Sequence, residues 1–296
     1  MIEQLKAEFD IPGAAAIEPG HGGLDKIVLH HPAGSSAEIY LHGAHVASWC
    51  NTQGEELLFL SRKSGWAPGV PIRGGIPVCW PQFGGPGALP HHGFARINPW
   101  ELVATEVFPQ GDVAVTLRVT ESAATLALWV HRFEFRLRIR LSATSLSLAL
   151  QVSNTDESPF AFQIALHTYF GIKDIHQVAV RGLQGACMMD MLGRKLPEPD
   201  TLAAIRVDGE INRIYLDAPD LTSIRDEVAG RSFIIAKDNM KDMVVWNPWR
   251  ENAVAMADFG DDEYARMICV ETGNITPLIQ LRGGQVWQGE TVLSVD

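Results

Sequence analysis

Strict two-residue alternation over residues 133–152 constrains this chain more than any other feature. Phe133, Phe135, Leu137, Ile139 and Leu141 occupy the odd positions, and Glu134, Arg136, Arg138 and Arg140 lie between them. Successive side chains of an extended strand point to opposite faces, so this spacing predicts a strand with one buried and one wet face. Leu146, Leu148, Leu150 and Val152 repeat the pattern after the short polar link Ser142-Ala143-Thr144, which predicts a hairpin. Val113, Val115, Leu117 and Val119 alternate in the same way. Short apolar runs at 26–31, 38–41, 46–50, 57–60, 160–167, 178–180, 232–236, 243–246, 267–270, 278–281 and 291–295 predict further strands. Helical patterns are confined to an amphipathic start at 1–9, a turn or two at 122–129 and another within 258–266. The expected fold is all-β, a large antiparallel β-sandwich with a few short helices.

The 296 residues are 46% hydrophobic and 20% charged, a globular composition with enough chain for one large core. No internal repeat, low-complexity tract or linker divides it. Residues 21–296 therefore read as a single sandwich domain, preceded by an N-terminal extension over 1–20. With 24 Lys+Arg against 35 Asp+Glu the formal charge is −11, which argues against a general nucleic-acid binder. No apolar run approaches the roughly 20 residues of a membrane span. The first residues lack the basic start and apolar middle of a signal peptide. Cys50, Cys79, Cys187 and Cys269 are far apart and without CxxC spacing, which fits reduced thiols in a cytoplasmic protein. A monomer is expected.

One stretch breaks the strand rhythm. Residues 64–100 hold eight glycines and seven prolines, Pro86 among them, a density that no long regular element survives. A long loop in a compact domain is usually functional, and this one carries Arg73, Gln82, His91, His92 and Arg96. Guanidinium forks at Arg73 and Arg96 suit a phosphate or carboxylate; tying the loop to backbone carbonyls is the plainer alternative. In 160–167, Phe160, Phe162, Ile164 and Leu166 share one face. Ala161, Gln163, Ala165 and His167 share the other, as beneath a ligand on a concave sheet. Glu271 follows the apolar run Met267-Ile268-Cys269-Val270, where a carboxylate needs partners or a function. Taken singly, His167 reads first as a satisfied histidine and Glu271 as a structural ion pair. Together at one surface they would form a general acid/base pair.

Other signals are weaker. His42 and His45 diverge on a strand, and His91 and His92 are adjacent, so no metal site is expected. Gly84-Gly85-Pro86-Gly87 lacks the Lys-Ser/Thr ending of a phosphate loop. Ser61, Ser64 and Cys79 have no nucleophile motif around them. Trp246-Asn247-Pro248-Trp249 is aromatic enough to stack on a sugar ring or to pack half-buried.

Longer blocks carry a family resemblance. Arg73-Gly74-Gly75-Ile76-Pro77-Val78-Cys79-Trp80-Pro81-Gln82-Phe83-Gly84 and Leu89-Pro90-His91-His92-Gly93-Phe94-Ala95-Arg96 resemble the glucose-6-phosphate 1-epimerases, or hexose-6-phosphate mutarotases. The likeness continues through Leu41-His42-Gly43-Ala44-His45-Val46, Ala165-Leu166-His167-Thr168-Tyr169-Phe170, Val245-Trp246-Asn247-Pro248 and Cys269-Val270-Glu271. It implies a galactose-mutarotase-like supersandwich, interconversion of hexose 6-phosphate anomers, and neither cofactor nor metal. It further implies a catalytic pair, His167 as acid and Glu271 as base, with Arg73 and Arg96 binding substrate and phosphate. His91 falls at a substrate-contact position. Asn212 stands before Arg213-Ile214-Tyr215, where the family usually has Asp, so its hydroxyl contact would be uncharged. The competing readings are an aldose 1-epimerase on free hexoses and a non-catalytic carbohydrate-binding sandwich.

Overall fold

The structure is a computed structural model that describes residues 2–85, 87–193 and 195–296; Met1, Pro86 and Arg194 lie outside them. Three antiparallel sheets account for the chain. Ala15–Pro19, Asp25–His30, Ser36–Tyr40 and His45–Cys50 form a four-stranded meander in sequence order. One eight-stranded sheet runs Val178–Arg181, Leu221–Asp226, Arg231–Asp238, Val286–Val295, Ser145–Asn154, Phe133–Leu141, Val113–Thr120, Glu101–Val107. The other runs Glu198–Pro199, Cys187–Asp190, Ile211–Leu216, Asp242–Asn247, Met267–Leu281, Phe160–Leu166, Val78–Cys79, and Tyr169–Gly171 also pairs with Met267–Leu281.

The alternating segments behave as their spacing requires. Along Phe133–Leu141 every odd residue is buried, and the even ones carry ion pairs: Arg136 with Glu134, Arg138 with Glu106, Arg140 with Asp112. The hairpin to Ser145–Asn154 forms, with Leu141 opposite Leu146. Between the two large sheets lies an aromatic cluster around Trp80, whose ring meets Phe94, Trp129, Phe133, Phe135 and Phe162 at centroid distances of 4.5–6.2 Å. Burying each such ring contributes about 1.5–3 kcal/mol, so this cluster fixes how the sheets face one another. The segment 2–19 is built onto the same body. The Ile2–Phe9 helix sets Ile2, Leu5 and Phe9 against the core, and Ala15–Pro19 pairs with Asp25–His30.

Several expectations change. The run at 57–60 forms no strand, only single bridges from Leu58 to Phe170 and from Leu60 to Gly74. The turn expected within 258–266 shrinks to Glu263–Arg266, while an unanticipated helix, Trp249–Ala255, precedes it. At 122–129 the helix is Ala123–Leu128, capped by the Ser122 side chain. The strands expected at 267–270 and 278–281 are one strand, Met267–Leu281. Thr272-Gly273-Asn274 looks like punctuation in sequence, but the Asp242 carboxylate accepts hydrogen bonds from the amides of Ile275 and Thr276, keeping the irregular stretch in the sheet. Gly273 lets the neighbouring strand approach, since a Cβ there would lie 2.6 Å from the Ile164 carbonyl oxygen. Glu271 therefore sits inside a central strand rather than at its end.

The Gly/Pro segment is irregular but tightly seated. Gly75 has φ of +60°, and a Cβ there would lie 2.2 Å from the Val46 carbonyl oxygen. Both the conformation and the close approach demand glycine. Gly75→Ala is expected to destabilise the protein by at least about 2 kcal/mol in urea or thermal unfolding, through strain and the forced shift of residues 73–76.

Candidate active site

The site begins where one strand breaks. Phe160–Leu166 and Tyr169–Gly171 both pair with Met267–Leu281, Leu166 opposite Thr272 and Tyr169 opposite Cys269. His167 and Thr168 fall in the gap, with the His167 amide donating to the Pro77 carbonyl instead of the ladder. The imidazole thus comes to lie beside the strand position between Thr272 and Val270, which is Glu271. The His167 Nδ1 to Glu271 Oε1 distance is 3.4 Å. Both side chains are buried, Glu271 to 1% exposure. Among the described residues His167 Nδ1 and Glu271 Oε2 have no hydrogen-bond partner, a costly arrangement in a protein interior. The ring is clamped by Tyr169, stacked at 4.7 Å and 11°, with His92 and Trp246 edge-on at 5.3 and 5.8 Å.

His167 and Glu271 open into a cavity of about 590 Å³ that also takes in Arg73, His91, Arg96 and Asn212. All six residues singled out in the sequence meet there, although they come from the Gly/Pro segment and three distant parts of the chain. Asn212, on Ile211–Leu216, pairs with Trp246, and Val244 pairs with Glu271, so neighbouring strands present one concave face. Gln163 lines it too, its side chain bridging the Phe83 amide and the Ile275 carbonyl. Trp246 lines the cavity while Trp249 packs against His176 and Tyr264, so only the first of that aromatic pair belongs to the site.

Arg73 is held by Asp258, 3.0–3.1 Å away, and donates to the Tyr169 hydroxyl at 3.0 Å. Although burial works against its charge, these partners keep the guanidinium firmly protonated. Arg96 is buried, and its Nη2 donates to the His91 carbonyl at 2.7 Å. Its Nε is without a partner among the described residues. A fixed guanidinium with spare donors facing a cavity suits an oxyanion. Gly84-Gly85 lines the same wall, and the Gly84 amide donates to His92 Nδ1 at 3.1 Å. The composition-level charge of −11 is locally reversed here.

Protonation follows from burial and these cations. Burial raises the Glu271 carboxyl well above its ordinary value, with Arg96 pulling the other way. Burial lowers His167 well below 6.5, and Arg96 and Arg73 lower it further. The same causes lower His92 and His91. The free site therefore favours a neutral carboxyl beside a neutral imidazole.

The sequence reading did not single out His92, Tyr169, Gln163 or Asp258 as site residues. Tyr169 and Asp258 were findable only through Arg73, which they hold. Gln163 did carry a signal, since it shares its strand face with His167.

The family description "Aldose 1-epimerase" matches residues 25–294. The chain belongs to the aldose 1-epimerase family. A curated relative from Cenchrus ciliaris is 42% identical over 279 residues, 92% of this chain and 85% of its own. One from Escherichia coli is 36% identical over 252 residues, 84% and 83% of the two chains. Both bear the name "Putative glucose-6-phosphate 1-epimerase". A solved Salmonella typhimurium structure described as "a putative mutarotase" superposes with a TM-score of 0.89 at 31% identity, covering 97% of this chain and 95% of that one. A galactose mutarotase-like protein from Clostridium acetobutylicum, 16% identical, shares the fold with a TM-score of 0.75 over 95% and 98% of the chains. The resemblance read from the arginine-bearing blocks and the all-β sandwich expectation are both borne out.

An NMR titration of the ligand-free protein should find the His167 ring still neutral at pH 6.5. Protonation should appear only at distinctly lower pH, the reverse of a histidine stabilised by an ionised neighbour.

Proposed function

We propose that this protein interconverts the α and β anomers of glucose 6-phosphate or a related hexose 6-phosphate, with Glu271 and His167 as the acid/base pair. The observation that carries this reading is the unpartnered pair itself: two buried titratable groups 3.4 Å apart at the wall of a cavity that also holds two arginines. Membership of the aldose 1-epimerase family and the names of its relatives support it.

Anomer exchange needs a proton removed from the C1 hydroxyl and one delivered to the ring oxygen. The C1–O5 bond opens to the aldehyde, C1 rotates about C1–C2, and the ring recloses. In the forward opening Glu271 takes the C1 proton and His167 gives one to O5; on closure the two exchange roles. The pair then passes from carboxylate and imidazolium to carboxyl and imidazole while the sugar is open. That second state is the one burial favours, so the fold favours the open-chain half of the cycle. A phosphate dianion at Arg73 and Arg96 offsets the two charges that depress His167, which favours imidazolium once substrate has docked. Binding energy from the remote phosphate also positions C1. Asn212 would reach a hydroxyl without charge, and His91 would lie near the phosphate end.

His167→Ala or Glu271→Gln should lower the enzyme-catalysed rate, read by saturation-transfer NMR or polarimetry, by roughly 10²–10⁴-fold with the fold preserved. A near-normal rate in either variant rejects the mechanism. Arg96→Ala should raise KM for glucose 6-phosphate by about 10–100-fold while leaving free glucose little changed, since a charge-assisted hydrogen bond contributes about 1.5–3 kcal/mol. Equal rates on the two sugars in the unaltered protein would favour an epimerase of free hexoses. No catalysed exchange of any hexose would leave only a carbohydrate-binding sandwich.

A further inference from the structure

Cys269 lies two residues before Glu271 on Met267–Leu281, so both project from one face of the sheet. The register sets Cys269 opposite Tyr169 on one side and Trp246 on the other, both of them residues that clamp the His167 ring. One ligand atom each from His167, Cys269 and Glu271 lies within 4.8 Å of the other two, and all three residues are buried. Ligand atoms about 2.0–2.1 Å from a tetrahedral metal stand about 3.3 Å apart, with a sulfur at about 2.3 Å slightly farther. The imidazole–carboxylate separation of 3.4 Å already has that value. His167 Nδ1 and Glu271 Oε2 are also among the buried polar atoms at the cavity wall that lack a partner among the described residues.

The geometry points to a three-ligand nitrogen–sulfur–oxygen site for a thiophilic divalent cation, made by His167, Cys269 and Glu271 with its fourth position open to the cavity. Soft thiolate with borderline imidazole selects Zn2+ or Cd2+ over Mg2+ or Ca2+. On binding, the Cys269 thiol and the Glu271 carboxyl release their protons to solvent and form bonds to the metal. Thiolate and carboxylate then bring two negative charges against the dication, so the buried complex carries no net charge. Arg73 and Arg96 oppose a cation, and Asp258 already offsets the first of them. An occupied site has neither a free imidazole nor a free carboxylate for proton transfer. Metal capture and anomer exchange are therefore mutually exclusive, a consequence that rests on the acid/base reading given above.

The test uses the full chain and Cd2+ without substrate, reading the thiolate-to-cadmium charge-transfer absorption. The unaltered protein should show that band, saturating at a single equivalent, and both Cys269→Ser and Cys269→Ala should abolish it. Cys50, Cys79 and Cys187 remain in those variants as internal controls. Zn2+ should inhibit anomer exchange in the unaltered protein, with activity restored by a chelator. The Cys269 variants should keep their basal rate and need at least about tenfold more zinc for the same inhibition. Thermal unfolding of each variant checks that it is folded, and the serine and alanine changes back each other. The proposal is overturned if the unaltered protein gives no band, if the band persists in both variants, or if their zinc sensitivity is unchanged. Should His167→Ala retain full anomer exchange, the catalytic reading fails, while the cadmium band still judges the site.

Discussion

A carboxyl group buried in the middle of a sheet, without a full set of partners, is the interaction on which the rest of this site depends. Solvent would stabilise Glu271 as an anion, and an apolar interior without donors would expel it. The fold does neither. It offers Glu271 one imidazole at 3.4 Å and a guanidinium field from Arg96, and leaves Oε2 without a partner among the described residues. Such an arrangement costs stability and is held in place by its surroundings. Those surroundings are the 15-residue strand Met267–Leu281, paired on both sides, and the aromatic cluster that locks the two large sheets together.

His167 depends on the same scaffold from the opposite direction. The strand that leads to it stops at Leu166 and resumes at Tyr169, and the histidine occupies the break. Its backbone is tied to Pro77, part of the Gly/Pro segment that also carries Arg73 and Arg96. Tyr169 closes the connection by stacking on His167 and accepting a hydrogen bond from Arg73. His167, Glu271, Arg73 and Arg96 are thereby parts of one packed unit. Displacing the loop moves the guanidinium donors and, with them, the field at the imidazole. This coupling lets a protein with a large negative charge hold a local positive field.

The strands, the hairpin at 133–154 and the all-β class were legible because burial on a sheet has period two, and the alternating residues display it directly. His167, Glu271, Arg73, His91, Arg96 and Asn212 were legible through the family blocks, and the structure gathers all six at one cavity. Position within the strand was less legible. Glu271 looked terminal because Thr272-Gly273-Asn274 resembles a turn, and only Asp242, about thirty residues upstream, supplies the acceptors that keep it in the sheet.

Local side-chain chemistry and spacing were thus determined by the sequence itself: which residues alternate, where no regular element can persist, and which groups can donate or accept a proton. Proximity was decided by the tertiary structure alone. The juxtaposition of Cys269 with His167, the Tyr169 and Asp258 grip on Arg73, and the neutral bias of His167 and Glu271 all arise from strand register and exclusion of water. Register is a pairing between distant segments, and desolvation is a property of everything packed around a group, so neither is written in any one stretch of chain.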